Sequence, residues 1–306
     1  LFDDVDIVLH WHAGDYNMAD AVSSLANIST KFRFRGISAH AAGAPERGRS
    51  ALDGVEAMNH MVNLMREHVP EATRMHYVTT YGGAAPNVVP DFTEVYHYVR
   101  HPDAAVVREL FERLVDTAEG AALGTETQME YEIINGVYNL LPNVTLAQVI
   151  HANLTTVGGV EYTDEEMRFA EVIRESLPED ARPMSAASEV KPFAAPTGAR
   201  RGGGSTDVGD VSWAVPTAGL RAATWVPGTS SHSWQAVAAG GTSIGTKGML
   251  VAAKTIAMSA VDLFMNPDLI RQARAEFDEK RGPNYQHISL VGDRPPPLDY
   301  RANPGN

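Results

Sequence analysis

Residues 32–53 read FRFRGISAHAAGAPERGRSALD, and the rest of the chain is organised around them. Phe32 and Phe34 alternate with Arg33 and Arg35, the period-2 pattern of a half-buried strand. At Gly36 the alternation stops, and the chain delivers His40 into a turn of small residues, Ala41-Ala42-Gly43-Ala44-Pro45. Ser50 then opens a helix, with Asp53 three residues on as an acidic partner for its first turn. A histidine at a strand end, on a turn ahead of a helix, stands where functional side chains are commonly mounted. A turn histidine that merely caps the loop is the competing reading of the same residues.

Working outward, residues 26–136 read β-α-β-β-α-β. The helix after Ser50 carries Ala51, Val55, Met58, Val62, Met65 and Val69 as an apolar stripe and stops at Pro70. Its methionines read as core filler rather than a binding surface. Residues 74–81 and 92–100 read as strands joined by GGAAPNVVPD. Residues 104–122 form a second helix with Val107, Leu110, Phe111, Leu114 and Ala118 on one side, and 127–134 a closing strand. Two helices on one face of a four-stranded antiparallel sheet is the split βαβ, or ferredoxin-like, plan.

The 306 residues are enough for two domains, and 44% hydrophobic content can fill a sizeable core. A net charge of -13 argues against nucleic acid and acidic membrane surfaces, both of which repel it. The longest apolar patch, 248–264, is broken by Lys254 and Asp262 and reads as too short for a membrane span. With no cysteine, the chain has no disulfide, thiolate ligand or cysteine nucleophile. It opens abruptly at Leu1 and reads as a piece of a longer protein.

The flanks carry the other candidates. Val5 to His12 alternates into a short apolar strand ending His10-Trp11-His12, so His10 and His12 share a face. Each is readable as a metal ligand or as a hydrogen-bonded strand-end residue; acids Asp3, Asp4 and Asp6 read as a solvated turn. After Pro142, Thr145 caps a helix to about 154, and Thr163 with Glu166 forms a capping box for another, ending near 177. Residues 178–204 read as a loop and Ser205 to Asp210 as a polar turn in which Asp207 binds a ligand or orients an active-site loop, a plain turn or helix cap being the competing reading. Residues 220–226 form a buried strand running into PGTSSHSW, which holds His232; 248–263 and 267–280 are closing helices, and the tail from Gly282 an extended surface segment. Ser230, Ser231 and His232 with Asp207 or Asp210 make a weak triad, since no Gly-x-Ser-x-Gly elbow is present. His12 and His232 each end an apolar strand, on either side of the 27–136 insertion. Ligands gather at strand carboxyl ends in α/β sheets, and two neutral imidazoles suit zinc or manganese. Spacing alone does not pair them.

Four motifs in register, SAHAAGAPERGRSALD, GGAAPNVVPDFTEVYHYVR, STDVGDVSW and PGTSSHSWQ, resemble the dinuclear-metal amidohydrolases that include aminoacylases, carboxypeptidase G and the auxin-amide hydrolases. The resemblance covers essentially the whole chain. It implies an α/β zinc-peptidase-like catalytic domain, 1–26 and 137–306, lacking its N-terminal part, with an inserted ferredoxin-like lid and dimerisation domain at 27–136. It implies that His12 and His232 are metal ligands for two divalent ions, manganese or zinc. His40 would reach into a partner protomer's site to stabilise the oxyanion, and Asn87 and Arg100 would hold the substrate carboxylate. The implied activity is metal-dependent cleavage of an N-acyl amino acid amide bond in the cytoplasm, with p-aminobenzoyl-glutamate the favoured substrate. The implied assembly is a homodimer through the lid, and another, related type of subunit is a further partner.

The departures set the alternative. Members of this family carry a Cys/Asp-x-His ligand set and a Glu-Glu pair, one Glu being the general base, and the chain begins just downstream of that pair. Without it the chain reads as a non-catalytic dimerising or substrate-binding fragment.

Overall fold

The computed structural model describes residues 2, 4–194, 203–293, 295 and 297–299. Asp3, residues 195–202 of the proline- and glycine-rich loop and the end of the tail lie outside them. In chain order the elements are strands β1 (Val8–Gly14), β2 (Met18–Asp20) and β3 (Ala26–Arg35), helix α1 (Ala51–Met65), strands β4 (Arg74–Tyr81) and β5 (Phe92–His101), helix α2 (Ala104–Gly124) and strand β6 (Gln128–Val137). Helices α3 (Val144–Val157), α4 (Asp164–Arg174) and α5 (Val208–Ala214), strand β7 (Thr217–Ala223) and helices α6 (Trp234–Gly240), α7 (Ser243–Met265) and α8 (Pro267–Arg281) follow. The fold is mixed α/β, in two units. One comprises Leu1–Ser23, Leu141–Arg200 and Val211–Tyr285; the other, Ser24–Leu140, Arg201–Asp210 and Gln286–Asn306.

In the second unit the sheet runs β4-β5-β3-β6, antiparallel throughout. Phe32 and Phe34 are fully buried against Val55, Met58 and Val62 of α1 and Leu110 and Leu114 of α2, each aromatic removing enough apolar surface to stabilise by roughly 2–3 kcal/mol. Ser50 caps α1 by accepting the Asp53 N–H at 3.2 Å. The face away from the helices is ionic. Glu94, wholly buried, accepts from Arg33 Nε at 2.8 Å and Thr80 Oγ1 at 2.7 Å and pairs with Lys31 Nζ at 3.0 Å. Arg33 also reaches Glu132, and Arg35 reaches Glu130. On the helix face His97, 1% exposed, bonds Asn59 Oδ1 through Nε2 at 3.1 Å. The tail of this unit is partly packed rather than a free surface segment: Leu290 is buried at Gly136, and the His287 ring lies 4.7 Å from the Tyr138 ring, tilted against it, and pairs with Asp210 at 3.4 Å.

The first unit holds a three-stranded sheet, β1-β7-β2, with β1 parallel and β2 antiparallel to β7. Its core joins Leu146, Ile150 and Leu154 of α3 to Leu220 and Ala222 of β7 and Ala252 and Leu263 of α7. The capping box at Thr163 and Glu166 is present. Glu166 also accepts from Lys247 at 2.5 Å and Ser243 at 2.6 Å; burial opposes its ionisation, but these bonds outweigh it and hold the carboxyl at about 2. The cap of α3 is Asn143, not Thr145. The N–H groups of Val144 and Thr145 are taken by Glu276 of α8, a partner too distant in sequence to foresee. Ser205 to Asp210 is not all turn, because α5 starts at Val208. The last apolar helix also differs from expectation. It runs 23 residues and by length and composition alone is apolar enough to cross a membrane, one third of the relevant window being buried.

Candidate functional site

The carboxyl ends of β1 and β7 are locked side by side. Gly14 lies opposite Ala223, and past the strand ends the N–H groups of Thr224 and Trp225 both donate to the Gly14 carbonyl, at 2.9 and 3.1 Å. Asn17, wholly buried, accepts from the Ala223 N–H at 2.9 Å and donates to the carbonyls of Ala187 and Glu189. His10 lies with its ring across Gly219, where an added Cβ would collide with the imidazole, so that glycine is needed for close approach. His12, on the same face two residues on, is exposed. Its Nδ1 sits 2.6 Å from the Ala13 carbonyl, an acceptor, so Nδ1 carries the proton and Nε2 is left with a lone pair. An Nδ1–H held by a backbone carbonyl is the usual support behind a metal-ligating imidazole.

His232 lies in the loop that follows β7. Its φ of 61° is the left-handed region, a conformation costing a non-glycine residue about 1–2 kcal/mol. The loop is held from both ends. Asp15, just beyond β1, accepts from the Gly228 N–H at 3.0 Å and from Arg182 at 2.9 Å, and Ser233 caps α6 while donating to the Ser230 carbonyl at 2.8 Å. Asp15 thus ties the His12 strand to the His232 loop, a role that an isolated acid after a strand does not announce in sequence. Among the described residues, neither Ser230 nor Ser231 has a hydrogen bond to the His232 ring, which leaves the serine triad without support. Nor does any group of three His, Cys, Asp or Glu side chains there converge on a cation position. Two imidazoles fit part of a ligand set and do not close one, since zinc takes four ligands.

His40, Asn87 and Arg100 belong to the other unit. Beyond the end of β3 the pairing with the chain ahead of β5 continues: Gly36 N–H donates to Asp91, Val89 N–H to Ala39, and Ala41 N–H to Asn87 at 3.0 Å, with His40 opposite Val88. Ile37 and Arg49 exchange two hydrogen bonds at 2.8 and 2.9 Å and close the loop behind. Gly36 permits that closure, because a Cβ there would run into the Arg49 carbonyl oxygen. The His40 ring is exposed, and its Nδ1 accepts the N–H groups of Ala42 at 3.2 Å and Gly43 at 3.0 Å. The proton of the neutral ring is therefore on Nε2, a donor free for a ligand. His12 and His40 hold opposite tautomers.

Arg100 is placed elsewhere. It lies eight residues along β5 from Phe92, roughly 27 Å at ~3.4 Å per residue, and so is not brought together with His40 and Asn87 within one chain. Its guanidinium lies 5.0 Å over the Tyr98 ring. Burial draws its pKa below the ordinary guanidinium value, its Nε is buried without a partner, and no carboxylate of a described residue stands within ion-pair distance.

Comparison with known proteins supplies the context. The M20 peptidase dimerisation domain matches residues 23–126. The chain is 38% identical over 303 residues to the B-type subunit of p-aminobenzoyl-glutamate hydrolase from Escherichia coli, covering 91% of this chain and 63% of that protein. It is 27% identical over 279 residues to the Xaa-Arg dipeptidase of Mus musculus, covering 90% and 57%. Its fold matches the aminobenzoyl-glutamate utilization protein of Klebsiella pneumoniae at a TM-score of 0.51 and 21% identity, over 85% of this chain and 55% of that one. It also matches an amidase of the hydantoinase/carbamoylase family from Burkholderia vietnamiensis at a TM-score of 0.55 and 14% identity, over 87% and 54%. The chain thus spans less than two thirds of the length of each of these relatives.

Proposed function

We propose that the chain, which is similar to the M20 type of amidohydrolases, is part of a metal-dependent enzyme that hydrolyses the amide bond of a small N-acyl amino acid in the cytoplasm, p-aminobenzoyl-glutamate being the preferred substrate. The observation that carries this reading is the pair of fixed tautomers, a lone pair at His12 Nε2 and a proton at His40 Nε2. In it, 1–26 and 137–306 are the catalytic part and 27–136 the lid. His12 and His232 contribute to a divalent-metal site, for manganese or zinc, whose remaining ligands the described residues do not provide. Cations bound there would polarise the amide carbonyl and acidify a water. His40 donates through Nε2–H to the oxygen on which negative charge develops. Asn87 offers its side-chain amide beside it, and Arg100 takes the substrate carboxylate.

The separation along β5 gives this reading an assembly. One small substrate cannot touch both His40 and Arg100 of a single chain, so in a dimer each site takes His40 with Asn87 from one protomer and Arg100 from the other.

The test is complementation in the manganese-loaded enzyme, with the rest of the ligand set supplied in the same polypeptide, following release of p-aminobenzoate. His40→Ala and Arg100→Ala homodimers are expected to be inactive, while a mixture recovers activity, because half the sites of a mixed dimer hold both residues. No recovery would place both residues in one protomer's service and overturn the shared site. An inactive parent enzyme would favour the second reading, a non-catalytic dimerising and substrate-binding module, which the incomplete ligand set also suits.

A further inference from the structure

Arg74 on β4 stands directly opposite Arg100 on β5, a cross-strand pairing of like charges that by itself destabilises a sheet. Elsewhere on the same sheet face the cations are matched: Lys31 and Arg33 by Glu94, Arg33 by Glu132, Arg35 by Glu130. At the Arg74 end, no carboxylate of a described residue lies within ion-pair distance of either guanidinium. Arg74 is anchored through one nitrogen, Nη1, which donates to the carbonyls of Glu71 at 3.1 Å and Thr73 at 2.7 Å. Its other nitrogens are uncommitted among the described residues. Arg100 lies over the Tyr98 ring, whose far neighbours are Tyr96 at 5.2 Å and His76 at 6.1 Å between ring centres. His76, opposite Tyr98 and next to Arg74 along the same face of β4, has its pKa lowered first by burial and then by the charges of Arg100, Arg66 and Arg74. In a chain of net charge -13, this is a local excess of positive charge beside aromatic rings set edge-on and tilted to one another.

We propose that Arg74 and Arg100 form a two-carboxylate subsite that selects an acidic amino-acid half, glutamate or aspartate, in the amide substrate. Arg100, oriented by stacking on Tyr98, takes one carboxylate, and Arg74 takes the second. Arg74 is then the specificity-determining residue. The inference rests on Arg100 serving as the carboxylate anchor, and the experiment separates the two claims.

N-acetylglutamate and N-acetylglutamine have nearly the same shape and differ by one carboxylate. Their binding to the dimeric chain is measured by calorimetry in chelator, so that no amide is cleaved. The expected result is about tenfold tighter binding of N-acetylglutamate, the size of one charge-assisted pair. Arg74→Gln should bring the two ligands within about twofold, with N-acetylglutamine unchanged. Arg100→Gln should weaken both by about tenfold. Equal affinities in the unsubstituted chain, or a preference that survives Arg74→Gln, would overturn the subsite while leaving the Arg100 anchor standing. Loss of N-acetylglutamine binding in Arg74→Gln would also overturn it, since Arg74 would then serve the shared carboxylate. Insensitivity of both ligands to Arg100→Gln would sink the anchor itself. Unchanged circular dichroism and melting temperature in both variants guard against misfolding.

Discussion

Ala41 donates its backbone N–H to the carbonyl of Asn87 across 3.0 Å, and through that bond the turn bearing His40 and the turn bearing Asn87 hold one geometry. Both side chains are exposed, so neither contributes to the core. His40→Ala should therefore lower kcat for amide cleavage by about 10²–10³-fold, as the removal of an oxyanion donor does. The melting temperature should stay within about 2 °C. A large drop in melting temperature would assign the residue to the turn rather than to the reaction.

Opposite tautomers at His12 and His40 can be read directly. Long-range ¹⁵N–¹H correlation spectra at pH 8 should give the protonated-nitrogen signature at Nδ1 for His12 and at Nε2 for His40. Two histidines in one tautomer would remove the chemical basis of the proposed division of labour.

His97 predicts how stability falls in acid. Burial, with the nearby Arg66, lowers its pKa to about 3 in the folded chain, against about 6.5 when unfolded. Below about pH 6.5 the unfolded chain takes up a proton that the native one refuses. Stability contributed by this residue is thus complete above that pH and lost progressively down to about pH 3, by up to ~1.4 kcal/mol per pH unit. His97→Gln keeps a donor for Asn59 without titrating. Urea unfolding at pH 7 and pH 4.5 should show a shallower loss in the variant, by close to one proton.

Glu94 is the carboxylate on which two cations converge, and the Lys31 side chain beside it is only 6% exposed. Burial disfavours the charge on Glu94, but bonds from Thr80, Lys31 and Arg33 outweigh it and hold the carboxyl below its ordinary value. Glu94→Gln should destabilise the unit built on the β4-β5-β3-β6 sheet by about 3–5 kcal/mol, because it leaves buried positive charge uncompensated. Adding Lys31→Met should recover part of that loss in a double-mutant cycle. A Glu94→Gln variant as stable as the parent would mean that the cations find water instead.

The β4-β5-β3-β6 unit was legible because its signals are local. Alternation of Phe and Arg, its break at Gly36, the Ser50 cap and two apolar stripes are each complete within a few residues, and each forms as read. What the sequence hid depends on partners far along the chain. β2 is three residues whose identity as a strand comes from bonding to β7. The cap of α3 is settled by Glu276, and the tail at Leu290 by contact with Gly136. The candidate residues could be picked out by type and motif. Their tautomers could not, since these follow from backbone distances around Ala13, Ala42 and Gly43. The distance between Arg100 and His40 was readable in principle from the length of an extended strand.

α7 has a practical consequence. Val261, Phe264 and Met265 near its end are 58%, 82% and 79% exposed, and Met249 and Leu250 show on its earlier turns. Such a greasy strip makes two isolated molecules attract at short range, while the net charge of -13 holds them apart only as far as salt allows. The second virial coefficient of this chain should therefore change sign as sodium chloride is raised, so that a solution stable in dilute buffer turns turbid on salting.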